Sequence, residues 1–185
     1  MKTIFAEEEI AYSGEQLRSR WIEERFGVEG DAAAAFLGRC DVEREWMVDL
    51  EDLADGSEIR AERMVHFIVE HFDVDIRKTV LRQRMLACLA AELLNEMRGG
   101  EEVRRRGDDL FVGEGKLSVS IATVSPVSGL IHFGVNVTTS GVPVKAASLG
   151  DIGVDAVTFA RALLERYARE TDEVEKATKK VRFVK

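Results

Sequence analysis

Two alternating stretches, residues 116–124 and 130–138, stand on either side of Ser125-Pro-Val-Ser-Gly129. A loop of this length between alternating runs predicts an antiparallel hairpin. With Val124 opposite Leu130, Ala122 faces His132, Ser120 faces Gly134, Ser118 faces Asn136 and Lys116 faces Thr138. Side chains alternate along a strand, so these residues share one face. The other face then holds Leu117, Val119, Ile121, Ile131, Phe133, Val135 and Val137, all apolar, and is core. Two readings of the polar face stand. A polar face on an antiparallel sheet is commonly just wet. Ser, Ala, Gly and Asn, however, leave room for a ligand and offer short hydrogen-bonding groups, as a pocket floor does. The assignment hangs on register, because a slip of one residue sends every side chain to the opposite face.

The rest of the chain supplies strands and helices to pack against the hairpin. Residues 3–12 read as a short strand, and Ser13 or Gly14 opens a helix to Phe26 with Leu17, Trp21 and Phe26 as its apolar stripe. The small apolar run 32–39 fits strand or helix, and a buried strand is favoured. Residues 46–63 read as an acidic turn or short helix around Gly56, and residues 64–72, β-branched and aromatic, as a strand. Asp75 can cap a helix over 76–98 with Val80, Leu81, Met85, Leu89, Leu93 and Met97 inward, stopped by Gly99-Gly100. Residues 109–112 begin another strand. Asp155 can cap a final helix to about residue 176, with Val157, Ala160, Leu163, Leu164 and Tyr167 inward. Residues 177–185 form a basic tail or a short edge strand. The fold class expected is α+β, a mainly antiparallel sheet packed with helices.

At 185 residues the chain is expected to be a single domain that buries its core without disulfides or a structural metal. Cys40 and Cys88 show no C-x-x-C spacing and read as two reduced thiols in the cytoplasm. No apolar run is long enough for a signal peptide, and no window approaches the ~18 uncharged apolar residues of a membrane span. The net charge of −8 argues against nucleic acid and anionic membranes as partners. That charge is uneven. Residues 1–75 hold 8 Lys/Arg against 20 Asp/Glu, net −12, whereas residues 107–150, which carry the hairpin, hold 2 against 3.

Gly107-Asp-Asp-Leu-Phe-Val, Gly113-Glu-Gly-Lys-Leu-Ser-Val-Ser-Ile121 and His132-Phe-Gly-Val-Asn-Val137 together resemble the centre of the biotin and lipoate protein ligases. Those families carry an Asn-Asp pair, a short turn, a Gly-x-Lys-Leu/Ile-Ala/Ser-Gly strand and a Gly-x-Asn-Val strand. The resemblance covers residues 64–168 and implies a ligase-like fold of the class II synthetase type. The whole chain also resembles an uncharacterised archaeal protein family. By resemblance, Lys116 falls where the ligase lysine contacts the carboxylate and phosphate, and a fixed ammonium there stabilises charge on a carboxylate attacking a phosphate. Asp108-Asp109 stands for the Asn-Asp pair, Val119 for the strand glycine, and Asn136 for the asparagine of the last strand.

Upstream, the ligases hold acyl group and nucleotide with a Gly/Arg-rich loop. Here the chain reads Leu53-Ala-Asp-Gly-Ser-Glu-Ile-Arg60. Added acids repel a triphosphate unless Mg²⁺ intervenes, so ATP with Mg²⁺ is not the favoured cofactor. The expected function is binding, transfer or activation of a small carboxylic acid. Lys116 holds the carboxylate, Asp109 positions a metal or amine, and Ser118, Ser120, His132 and Asn136 orient the ligand. The alternatives are a non-catalytic binding protein and a structural homodimer. Among the remaining residues, His66 and His71 lie on opposite strand faces and read as structural. Asp49, Glu51, Asp52 and Asp55 read as a solvated loop or a cation site, with the former favoured. Arg77, Lys78, Arg82 and Arg84 read as partners for the acidic N-terminal part, in preference to a phosphate site. Arg104-Arg-Arg106 fits an anion site or a solvated turn.

Overall fold

The computed structural model describes residues 1–184. Five strands form the main sheet: β1 (Lys2–Phe5), β2 (Ala32–Asp41), β3 (Arg60–His71), β7 (Ser118–Val124) and β8 (Gly129–Asn136), in the order β1-β2-β3-β8-β7. Only β1 and β2 pair in parallel. A smaller sheet of β4 (Val103–Arg106), β5 (Asp109–Val112) and β6 (Gly115–Lys116) lies beside the β7 end, where the Leu110 amide donates to Ser118 Oγ at 2.8 Å. The α+β, mainly antiparallel architecture is the one expected.

Each face of the main sheet carries its own core. On one, Val65, Phe67, Val69, Ile131, Phe133 and Val135 pack against α3 (Ile76–Met97) and α4 (Ala156–Lys179). On the other, Ala32, Ala34, Phe36, Met64 and Ile68 are covered by the segment that carries Tyr12 and α1 (Trp21–Phe26). Burial on both faces is why β2 and β3 read as continuous apolar runs. At Gly38 the Ile10 carbonyl lies where a Cβ would stand, so the N-terminal segment can lie flat on the sheet.

Several expectations need correction. The first helix spans Trp21–Phe26 only. Ahead of it Glu70, buried on β3, accepts the Arg20 amide at 3.0 Å while Arg20 holds φ 63°, so the chain is pinned in a non-helical turn up to that point. The helix at Ile76–Met97 is capped by Asp75 as expected, with Leu93 buried and Met85, Leu89 and Met97 packed partly against the core, but the centre of its inward face is rotated. Leu81 is 69% exposed, and the buried stripe is Thr79, Gln83, Leu86, Ala87, Ala90, Ala91, Leu93 and Leu94. The alanines let the helix approach the sheet closely, and the two polar residues are buried with their hydrogen bonds made. Thr79 donates to the Asp75 carbonyl and Gln83 to Asp108 and Ser120. Residues 104–106 are strand rather than turn. The final helix runs to Lys179 and no strand follows among the described residues; Lys185 lies outside them.

The hairpin register also differs. Val124 pairs with Gly129, not Leu130. Ser118, Ser120 and Ala122 therefore stand opposite Val135, Phe133 and Ile131 on the helix-covered face. Val119 and Ile121 stand opposite Gly134 and His132 on the other. The loop has four residues instead of five. Ser125 Oγ accepts the amides of Val127 and Ser128, and the Ser125 amide donates to the Ser128 carbonyl. That local turn releases Gly129 into the strand.

Candidate functional site

A cavity of about 420 Å³ opens on the face of β7 and β8 away from the helices. This volume lies within the range of small-molecule sites. Its floor is Met64, Val119, Ile121 and His132. One wall is the β5–β6 hairpin with Asp109 and Lys116, and a facing wall comes from residues 46–60. That second wall contains α2 (Leu50–Asp55), capped at its start by Asp49 and ended by Gly56 at φ 66°. The short acidic helix around Gly56 matches one of the two forms expected for this stretch. Val142, Pro143 and Val144 close the remaining side.

Asp109, Lys116, Ser118, Ser120, His132 and Asn136 all border this cavity, but their side chains are engaged differently. Lys116 Nζ lies 2.9 Å from Asp109 Oδ2, both half-buried. Burial pushes the Asp109 carboxyl up from its ordinary value, outweighing the Lys116 ammonium that draws it down. Asp108 is tied differently, with Arg84 at 3.0 Å and Gln83 at 2.8 Å. Ser118 Oγ receives the Leu110 amide, and Ser120 Oγ receives Gln83 and donates to the His132 carbonyl at 3.2 Å. Asn136 Nδ2 donates to the carbonyls of Lys116 and Ala147, each at 3.1 Å. Ser118 and Asn136 fix the wall that carries Lys116, while Ser120 ties β7 to α3 and β8.

His132 is buried, 3% exposed, with Nε2 3.1 Å from His66 Nδ1. His66 Nε2 lies 3.4 Å from the Gly38 carbonyl. Donation to that carbonyl leaves His66 Nδ1 as the acceptor, so His132 Nε2–H is the donor and His132 Nδ1 is left an acceptor. Burial drives both rings toward the neutral form, His66 to about 3 and His132 well below its ordinary value. Tyr12 stacks on His132 with ring centroids 3.8 Å apart. It is 3% exposed and borders the cavity, and its hydroxyl has no hydrogen-bond partner among the described residues. Tyr12 escapes a reading of the sequence because its position depends on a contact far along the chain.

Other candidates sort into structural roles. His71, on the helix side, bridges Asp31 at 3.1 Å and the Tyr167 hydroxyl at 3.0 Å. Lys78 and Arg82 pair with Asp73, the acidic-region pairing anticipated for this helix. Cys40 is buried and its thiol is pushed up to about 12, which removes it from thiolate chemistry at neutral pH. No helix among the described residues is long and apolar enough to cross a membrane.

The ligase-like fold is shown by comparison with solved structures. A biotin protein ligase from Aquifex aeolicus, in complex with biotin and ATP, superposes with TM-score 0.61 at 14% identity over 95% of this chain and 72% of that one. A Thermoplasma acidophilum protein with bound lipoic acid, a candidate lipoate protein ligase, gives 0.58 at 16% over 94% and 86%. A Pyrococcus horikoshii protein of unknown function matches far more closely, with TM-score 0.95 and 42% identity over 100% of this chain and 99% of that one. An uncharacterised Methanocaldococcus jannaschii protein is 35% identical across 97% of this chain and 84% of its own length. With the family model for the domain of unknown function DUF366 matching residues 1–182, the chain belongs to that family, which has archaeal members and the fold of the biotin and lipoate protein ligases.

Proposed function

We propose that this protein binds a small carboxylic acid in the cavity over β7 and β8, with Lys116 as the partner of the carboxylate. The observation that carries this reading is the Lys116–Asp109 pair on the cavity wall. Burial disfavours the charged form of Asp109, which weakens its hold on the Lys116 ammonium and lets that ammonium turn to an incoming carboxylate. Met64, Val119 and Ile121 offer apolar contact for an acyl chain, and the Tyr12 hydroxyl and His132 offer polar atoms beside it. The biotin-bound and lipoate-bound proteins of the same fold support a carboxylic acid as the ligand class.

Binding is favoured over ATP-dependent activation because Asp49, Glu51, Asp52 and Glu58 line the facing wall. These acids oppose a triphosphate. The cytoplasm remains the compartment we assign, on the two free thiols.

Thermal shift with biotin, lipoate and octanoate, each with and without ATP and Mg²⁺, tests the proposal. An acid present at ~100 times its Kd adds ~2.7 kcal/mol of stability. One of the acids is expected to raise Tm in the wild type and not in Lys116→Ala. No shift with any acid overturns the reading, and exchange of labelled pyrophosphate into ATP would replace it with a ligase.

A further inference from the structure

The cavity's charge is unbalanced in a way that a plain acid does not explain. Asp49, Glu51, Asp52, Glu58, Asp108 and Asp109 border it, against only Arg60 and Lys116. Three of these acids have basic partners: Asp109 with Lys116, Asp108 with Arg84, and Glu58 with Arg60 at 3.0 Å. Asp49 is occupied as the cap of α2, accepting the amides of Glu51 and Asp52. Glu51 and Asp52 have no basic partner among the described residues, and Asp52 is half-buried in the first turn of α2. The wall facing Lys116 therefore carries uncompensated negative charge.

The acids do not converge as metal ligands. Among the described residues no three His, Cys, Asp or Glu side chains come together as a metal site. Spaced carboxylates of this kind suit an ammonium group, which satisfies them through three divergent donors without a fixed coordination geometry. A second observation points to a polar ligand. Tyr12, 3% exposed and bordering the cavity, has a hydroxyl without a protein partner that keeps some accessible surface, so it is free to bond a ligand there.

We infer that the ligand is an amino-bearing carboxylic acid. Its carboxylate meets Lys116, its ammonium meets Asp52 and Glu51 of α2, and the Tyr12 hydroxyl bonds a polar atom between them. The inference rests on the carboxylate reading above and adds the second charged group. It makes the acids of residues 49–58 a recognition wall, in the stretch where the ligases carry glycines and arginines.

The test is a calorimetric series on the full chain with 4-aminobutanoate, 6-aminohexanoate and 8-aminooctanoate, each matched to its acid without the amine and its amine without the acid. At the best length the amino acid is expected to bind about ten-fold more tightly than the matched acid, as one added charge-assisted contact allows. Asp52→Asn, and independently Glu51→Gln, should reduce the amino acid's affinity toward that of the matched acid. Lys116→Ala should weaken both. If the plain acids bind as tightly as the amino acids, the inference fails while the carboxylate reading survives. If neither acids nor amino acids bind, or amines alone bind with no effect of Lys116→Ala, both fall.

Discussion

His66 and His132 meet inside the sheet face under Tyr12, and neither can take a second proton without placing charge in an apolar stack. Their pH behaviour follows. In the unfolded chain both rings bind protons below about pH 6.5. In the folded protein His66 stays neutral to about 3 and His132 well below its ordinary value. The unfolded state then holds more protons, so stability falls as pH drops below 6.5, by up to about 1.4 kcal/mol per pH unit for each ring. His132→Gln keeps a donor toward His66 and should halve that slope in urea titrations between pH 6 and 4; an unchanged slope would show that the rings are not the cause. Asn136 offers a different residue-scale test. Its two hydrogen bonds join β6 to the segment at Ala147, and losing them strands the Ala147 carbonyl close to the core, while the Lys116 carbonyl keeps the Ala147 amide. Asn136→Ala should lose about 1–3 kcal/mol in chemical denaturation. A loss below about 0.5 kcal/mol would mean that the amide is not a structural tie. Lys116, by contrast, is half-exposed and paired only with Asp109, so Lys116→Ala should register in ligand binding with little change in stability.

At the level of elements, what could be read from the sequence depended on whether the cause was local. The strand 64–72, the capped helix after Asp75 and the capped helix after Asp155 are all present, because periodicity and cap chemistry lie within a few residues of each other. The register of β7 on β8 was not legible, because a distant contact sets it. A Cβ at Gly129 would run into Thr79 of α3, so the glycine belongs to the strand beneath the helix instead of the turn. One residue of slip then separated Ser118 and Ser120 from His132 and Asn136, although all four border the same cavity. The rotation of α3's inward face toward Thr79 and Gln83 has a related cause. Thr79 and Gln83 look like surface residues until the Asp108 and Ser120 side chains that satisfy Gln83 are in place. The Gly129–Thr79 contact can be tested directly. Gly129→Ala should destabilise by about 1–3 kcal/mol through overpacking. Thr79→Ala in the same chain should recover most of that loss in a double-mutant cycle, and additive effects would refute the contact as the source of the register.

For the molecule as a whole, two groups stand out among the acids that give residues 1–75 their net −12. One is spent on cross-links. Glu7 pairs with Arg161 of α4, Glu9 with Arg63, Asp73 with Lys78 and Arg82, and Asp31 with His71. The other, on residues 49–58, faces the cavity, where it sets the polarity of the proposed site. Burial divides the same way. β2, β3 and β8 are buried on both faces, whereas α2 buries no residue completely and is held chiefly by its own caps. An element with so little buried apolar surface opens at a small free energy, independently of global unfolding. Amide hydrogen exchange should therefore find residues 50–55 exchanging far faster than the centre of β3. An amino-bearing carboxylic acid that bridges Lys116 and this wall should slow exchange in α2 selectively, since it adds contacts that the free element lacks. Equal protection of α2 and β3 in the free protein would refute the division into a rigid sheet and a loosely held wall. Protection gained uniformly across the chain would mean that the ligand stabilises the fold without engaging the acidic side of the cavity.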